Sequence, residues 1–150
     1  MANSLVKIDV HLVFHVKSRG TLMRKDDLSR VFQYIGGTIK GMNGVAFEVG
    51  GICDHIHILA SVPKTMALVD FVRNIKANSS RWIKQIDPYY AHFCWQDGYG
   101  AFSVSPSLLK RTVRYIQGQE EHHKNKTFQE EYKLFLERHG IQYDERYLFD

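Results

Sequence analysis

Cysteine is nearly absent. Cys53 and Cys94 are the two in 150 residues, and they form no CxxC pair. That excludes a disulfide scaffold or a zinc knuckle and fits reduced, small buried thiols in a cytosolic chain. Proline is scarce at three, and no low-complexity stretch or fixed-period repeat occurs, so neither a long disordered tail nor a solenoid is expected. Nowhere do about eighteen apolar residues run together. The N-terminal MANSLVKIDV also lacks a basic segment followed by an apolar one, so secretion and membrane spanning are not expected. The charge excess is small, 20 basic against 16 acidic residues. It permits a polyanionic partner without establishing one.

What is present is enough for a core. With 44% hydrophobic residues, the chain is expected to fold as one domain over residues 1–150, burying roughly two-thirds of its unfolded surface. Val6, Ile8, Val10, Leu12, Phe14 and Val16 alternate with Lys7, Asp9, His11 and His15, the period of a long strand with one buried face. Leu28, Val31, Phe32, Ile35 and Ile39 then recur at helical spacing, started by Asp26 or Asp27 and stopped near Asn43-Gly44. Residues 45–49 and 52–62 read as strands joined at Gly50-Gly51, a pair suited to the positive φ of a tight hairpin. Thr65 is the expected cap of a second helix through Leu68, Val72, Ile75, Trp82 and Ile86. Short strands are expected at 93–95 and 101–104.

The order strand, helix, strand, strand, helix, strand predicts an α+β fold of the ferredoxin-like split βαβ type, an antiparallel sheet with both helices on one face. Two further helices follow, one from Ser105-Pro106 and one from Thr127 with a Thr127/Glu130 capping box, ended by Gly140.

Within the second hairpin strand stands Asp54-His55-Ile56-His57. Side chains two apart on a strand point the same way, so His55 and His57 can share a metal ion, on the face away from Ile56, Ile58 and Ala60. A His-x-His strand alone equally describes two hydrogen-bonded histidines. A metal site needs a third ligand. Tyr115 and Gln119, four apart on the helix after Ser105, share a face and offer a nucleophile and a carbonyl oxygen suited to a hard cation. His122 and His123 diverge by about 100° on a helix and so are not expected to serve one ion.

DHIHIL followed by YIQGQ, with VHLVFHVKSRGTLM before them, WQDGYGAFSVS between them and EHH after, resembles the single-tyrosine transposases of small bacterial insertion sequences, within the HUH endonuclease superfamily. The resemblance covers nearly the whole chain. It implies a transposase that cleaves and rejoins single-stranded DNA, with Tyr115 as the nucleophile and His55, His57 and Gln119 as ligands for Mg2+ or Mn2+. It further implies a 5′-phosphotyrosine intermediate, rejoining without a nucleotide cofactor, DNA with subterminal hairpins as partner, and a cytoplasmic protein found with the nucleoid. A homodimer is implied as well, in which the tyrosine helix of one subunit serves the histidines of the other.

Tyrosine has an ordinary pKa of about 10 and needs activation, for which Arg111 and Arg114 lie within a turn of Tyr115. Lys17 and Arg19 after the first strand, and Arg73, Lys76 and Lys84 along the second helix, are candidate DNA contacts. Alternatives with other jobs are an HUH nickase of the replication-initiator or relaxase kind, a domesticated repeat-associated transposase, a metal-dependent hydrolase, and a non-catalytic nucleic-acid-binding module. The last would need an aromatic strand pattern that is not evident.

Overall fold

The computed structural model describes residues 3–149. Its sheet comprises β1 (Asp9–His15), β2 (Val45–Ile52), β3 (His55–Ser61) and β4 (Gly100–Ser103), all neighbours antiparallel in the order β2-β3-β1-β4. Helices α1 (Leu28–Gly41) and α2 (Leu68–Ile86) connect β1 to β2 and β3 to β4. This is the expected ferredoxin-like arrangement. The face carrying Val10, Leu12, Phe14, Ile56, Ile58 and Ala60 closes against Val31, Ile35, Ile39, Phe71, Val72 and Ile75 of the two helices.

The opposite face is not left open. Helices α3 (Leu109–Gln117), α4 (Gln119–His122) and α5 (Phe128–Arg138) follow β4. Val13 and Phe102 from the sheet meet Phe128, Tyr132 and Leu136 of α5 in a second apolar cluster. Thr127 caps α5, its hydroxyl accepting from the Glu130 amide at 3.2 Å.

Four details differ from expectation. The hairpin turns at Cys53-Asp54, because Gly50 and Gly51 lie inside β2, paired with His57 and Ile56. These glycines serve close approach rather than reversal. A Cβ on Gly50 would sit 2.8 Å from Ile116 Cγ2, and one on Gly51 (φ +148°) 2.3 Å from the His55 carbonyl. The first strand begins at Asp9, with Val6 and Ile8 half-exposed outside it. The second helix has Ala67 at its N-cap, with no side-chain cap, in place of Thr65, and of residues 93–95 only Trp95 pairs, in a single bridge to Val16.

Candidate metal and tyrosine site

Strand alternation puts His55 and His57 on the face covered by α3 to α5, and both are fully buried. They therefore do not look out to solvent, as an uncovered sheet face would have them do. Each imidazole is held from behind through Nδ1. His55 Nδ1 lies 2.7 Å from Asp54 Oδ1, and His57 Nδ1 lies 2.8 Å from Nε2 of His11 on β1. Such supporting bonds set ring orientation and tautomer. Burial would raise the Asp54 pKa, but the His55 bond and charge overcome it and hold the carboxyl below its usual range. A carboxylate only accepts, so His55 carries its proton on Nδ1 and in its neutral form turns the Nε2 lone pair inward.

Gln119 meets that lone pair. Its Oε1 is 2.9 Å from His55 Nε2, while its Nε2 donates to Glu131 Oε2 at 3.1 Å and so orients the amide. The helix carrying Tyr115 and Gln119 bends at Gly118 into α3 and α4, yet both side chains reach the same centre. Gly50 makes room for this by letting Ile116 settle onto β2. The Tyr115 hydroxyl donates to Glu131 and stands 3.5 Å from His122 Nε2. Burial and then the Glu131 bond push its pKa well above the ordinary value. His57 is lowered to about 4, chiefly by burial.

Glu131 is the residue that sequence reasoning missed. Its Oε1 lies 3.0 Å from His57 Nε2 and 3.5 Å from His55 Nε2, and the residue is 2% exposed. Burial favours its neutral form, but the His57 bond and charge, with the Tyr115 bond, hold it well below the ordinary range. The available signal was a carboxylate inside the apolar stripe Phe128, Tyr132, Phe135 of α5.

The expectation for His122 and His123 is also corrected. His122 Nε2 is 3.4 Å from Glu131 Oε2, and His123 Nε2 is 3.3 Å from Glu131 Oε1. Their divergence on the helix does not separate them, because a carboxylate has two oxygens and each imidazole faces a different one.

These residues fit a cation. His55, His57 and Glu131 bring their ligand atoms within 4.8 Å of one another. The contacts of His55 Nε2 with Gln119 Oε1 (2.9 Å) and Glu131 Oε1 (3.5 Å), and of His57 Nε2 with Glu131 Oε1 (3.0 Å), are of the length that separates neighbouring ligands of one ion with bonds of about 2.0–2.2 Å. Where the neutral His55 ring turns its Nε2 lone pair toward Gln119 Oε1, a positive charge between the two atoms would relieve their repulsion.

The expected DNA contacts fare unevenly. Lys17, Arg19, Arg111 and Arg114 are exposed. Arg73 is exposed but pairs with Asp70 at 2.7 Å. The Lys76 ammonium donates to the carbonyls of Gln96, Asp97 and Gly98 at 2.6, 3.1 and 2.9 Å. Its three donors are thereby used, and it fastens a loop instead of offering charge to phosphate. Beside Tyr115 the structure instead places Lys126 and Arg138, lining a cavity of about 80 Å³ with His122 and Glu131. No helix among the described residues is long and apolar enough to cross a membrane.

Known proteins share this chain's sequence pattern and fold. The family described as "Transposase IS200 like" matches residues 4–119. The ISDra2 transposase TnpA of Deinococcus radiodurans is 26% identical over 121 residues, 75% of this chain and 84% of that protein. Two solved structures share the fold. A Deinococcus radiodurans protein described as a transposase superposes with a TM-score of 0.61 at 18% identity, over 79% of this chain and 95% of that one. A REP-associated tyrosine transposase bound to a REP hairpin gives 0.57 at 12% identity, over 82% and 73%. With the family matched across more than half its length, the chain belongs to the IS200-like transposases.

Proposed function

We propose that this transposase cleaves and rejoins single-stranded DNA through a 5′-phosphotyrosine at Tyr115, with a divalent ion held by His55, His57, Gln119 and Glu131. The observation that carries this reading is the convergence of the Tyr115 hydroxyl and the two histidines on one buried carboxylate. The scissile phosphate enters the cavity beside Tyr115, where Lys126 and Arg138 supply positive charge to its non-bridging oxygens. The Tyr115 oxygen attacks phosphorus in line, the bond to the 3′ oxygen breaks, and that oxygen leaves to end as a 3′-hydroxyl. Glu131, already accepting the hydroxyl's hydrogen bond, orients the phenolic oxygen and passes its proton on, and that proton ends on the departing 3′ oxygen. A bound divalent ion supplies positive charge that favours the phenolate and offsets the charge developing on the phosphate. The diester's energy is retained in the phosphotyrosine, so the reverse attack by a 3′-hydroxyl rejoins the strand without a nucleotide cofactor.

Tyr115 here meets the histidines of its own chain, with ring centroids of Tyr115 and His57 5.8 Å apart. We therefore infer action in cis, in place of the trans homodimer that the resemblance implies. The protein would work on DNA in the cytoplasm, as one domain. The first substrate to try is a DNA hairpin with a single-stranded flank, because a solved relative of this fold holds a hairpin.

Incubation of such labelled DNA with Mn2+ and protein should give a covalent adduct, lost in Tyr115→Phe. Cleavage by Tyr115→Phe would replace this reading with that of a metal-dependent hydrolase. Mixing Tyr115→Phe with His57→Ala should leave both inactive; recovery of adduct in the mixture would establish trans assembly.

A further inference from the structure

We propose that the cleft between residues 96–99 and the C-terminal segment 143–148 is a pocket for one unpaired nucleobase, held by the Gln96 amide and the Tyr132 hydroxyl and stacked among tyrosines. The inference rests on the proposed reading of the substrate as single-stranded DNA and deepens it.

Two inward donors without partners carry it. Gln96 is 3% exposed, and its Oε1 accepts the His15 backbone N–H at 3.0 Å. A backbone N–H only donates, so this bond fixes which end of the amide is oxygen and leaves the NH2 facing Gly98, whose absent side chain does not cover it. No hydrogen bond among the described residues uses that Nε2. Tyr132 is 4% exposed, its ring stacked on Phe128 and pressed against Gly100, where a Cβ would lie 3.0 Å from the hydroxyl. That hydroxyl too has no partner among the described residues, and burial alone raises its pKa. Both residues line one cavity of about 450 Å³. Held rigidly and unpaired, the two groups are preorganised for a ligand that the chain does not supply.

The walls indicate its kind. Tyr99, Tyr143 and Tyr147 join Tyr132 around the cavity. Aromatic faces stack on any base, and fixed polar groups read its edge. Asp97 and Asp144 line the same cavity, and their charge keeps phosphate out of it. Asp144 is already paired with Arg146 at 2.7 Å, whereas Asp97 is exposed and can accept an N–H of the base. The phosphates of the strand therefore stay outside while one base turns in. Tyr132 follows Glu131 on α5, and adjacent helical residues diverge by about 100°. The cavity thus lies on the side of α5 next to the one that faces Tyr115, and a strand bound at Tyr115 reaches it by passing around that helix.

Abasic scanning tests it. A DNA hairpin with a single-stranded flank, made abasic at one flank position at a time, is titrated against the full chain. One position should stand out, its loss weakening binding about tenfold, the worth of one stacked base. Tyr147→Ala, Tyr132→Phe and Gln96→Glu should each weaken binding of the intact DNA by about the same factor. In each variant the abasic change at that position should then cost less than about twofold more, a coupling that a merely structural defect would not produce. Gln96→Glu keeps the oxygen that the His15 amide needs, and Tyr147 is 67% exposed, so its replacement tests the pocket even where a buried variant unfolds. If wild type binds no single-stranded flank, the reading of the substrate itself fails. If it binds and forms the Tyr115 adduct, but no flank position stands out or the three variants keep the full abasic penalty, this inference alone is overturned.

Discussion

The two faces of one sheet are built on opposite principles. The face under α1 and α2 is apolar throughout, with Leu12, Phe14, Ile56 and Ile58 fully buried against Ile35, Phe71 and Ile75. The face under α3 to α5 buries His11, His15, His55, His57, Gln119 and Glu131, and five nitrogens from His55, His57, His122, His123 and Gln119 stand around the one Glu131 carboxylate. The first face stabilises the fold by removing apolar area from water. The second costs desolvation at every group and is tolerable because, His15 Nε2 excepted, its polar atoms have partners. Chemistry therefore gathers on the face that contributes least to holding the chain together.

That contrast can be broken from either side. The largest effect should come from Tyr115→Phe, which removes one oxygen from the polar face. Adduct formation should fall to background with little change in melting, and a variant that kept making adduct would place the nucleophile elsewhere. Phe71→Ala on the apolar face should do the reverse. It should cost about 3–5 kcal/mol in urea unfolding while any protein still folded retains adduct formation.

Acid should act through the polar face. The unfolded chain protonates His57 near its ordinary value of 6.5, but the folded chain only near 4, because burial disfavours the charge. Between those values the unfolded state binds more protons, so stability is full above pH 6.5 and falls as pH falls toward 4. His11, lowered well below 6.5 by burial and the nearby His57, acts in the same direction. The His57 share is about 3 kcal/mol at most. Urea midpoints in chelator at pH 7.5 and 4.5 measure it. Ile75→Val on the other face should lower the whole profile without changing its slope, and a flat wild-type profile would contradict the burial argument.

Smaller effects separate the basic residues. Lys76→Met should lose about 1.5–3 kcal/mol of stability, because it frees the loop at Gln96 to Gly98, with little change in the salt dependence of DNA binding. Arg111→Ala and Arg114→Ala should do the opposite, each changing stability by less than about 0.5 kcal/mol and lowering the salt slope by about 1 if it touches phosphate.

Much of this was legible in sequence because it is local. Alternation around Ile56 and Ile58 assigned the faces of β3, and the four-residue spacing of Tyr115 and Gln119 brought them to one centre despite the bend at Gly118. What misled was also local evidence with two uses. Gly50-Gly51 had the residues of a turn, but they are glycine because α3 and β3 come too close for a Cβ. Lys76 looked like one of a basic stripe, yet its partners are carbonyls twenty residues on. Glu131 carries no motif of its own.

By itself, then, the sequence determined the sheet and its two faces, since these follow from periodicity within a few residues, while the histidine pair and Tyr115 stood out as a site through the family resemblance. Only the tertiary structure decided what covers the histidines, that Glu131 joins them, and that Tyr115 meets the histidines of its own chain. Those facts depend on how α5 docks 74 residues beyond His57. A packing direction set by the whole aromatic cluster of Phe102, Phe128 and Tyr132 leaves no short-range periodicity to read.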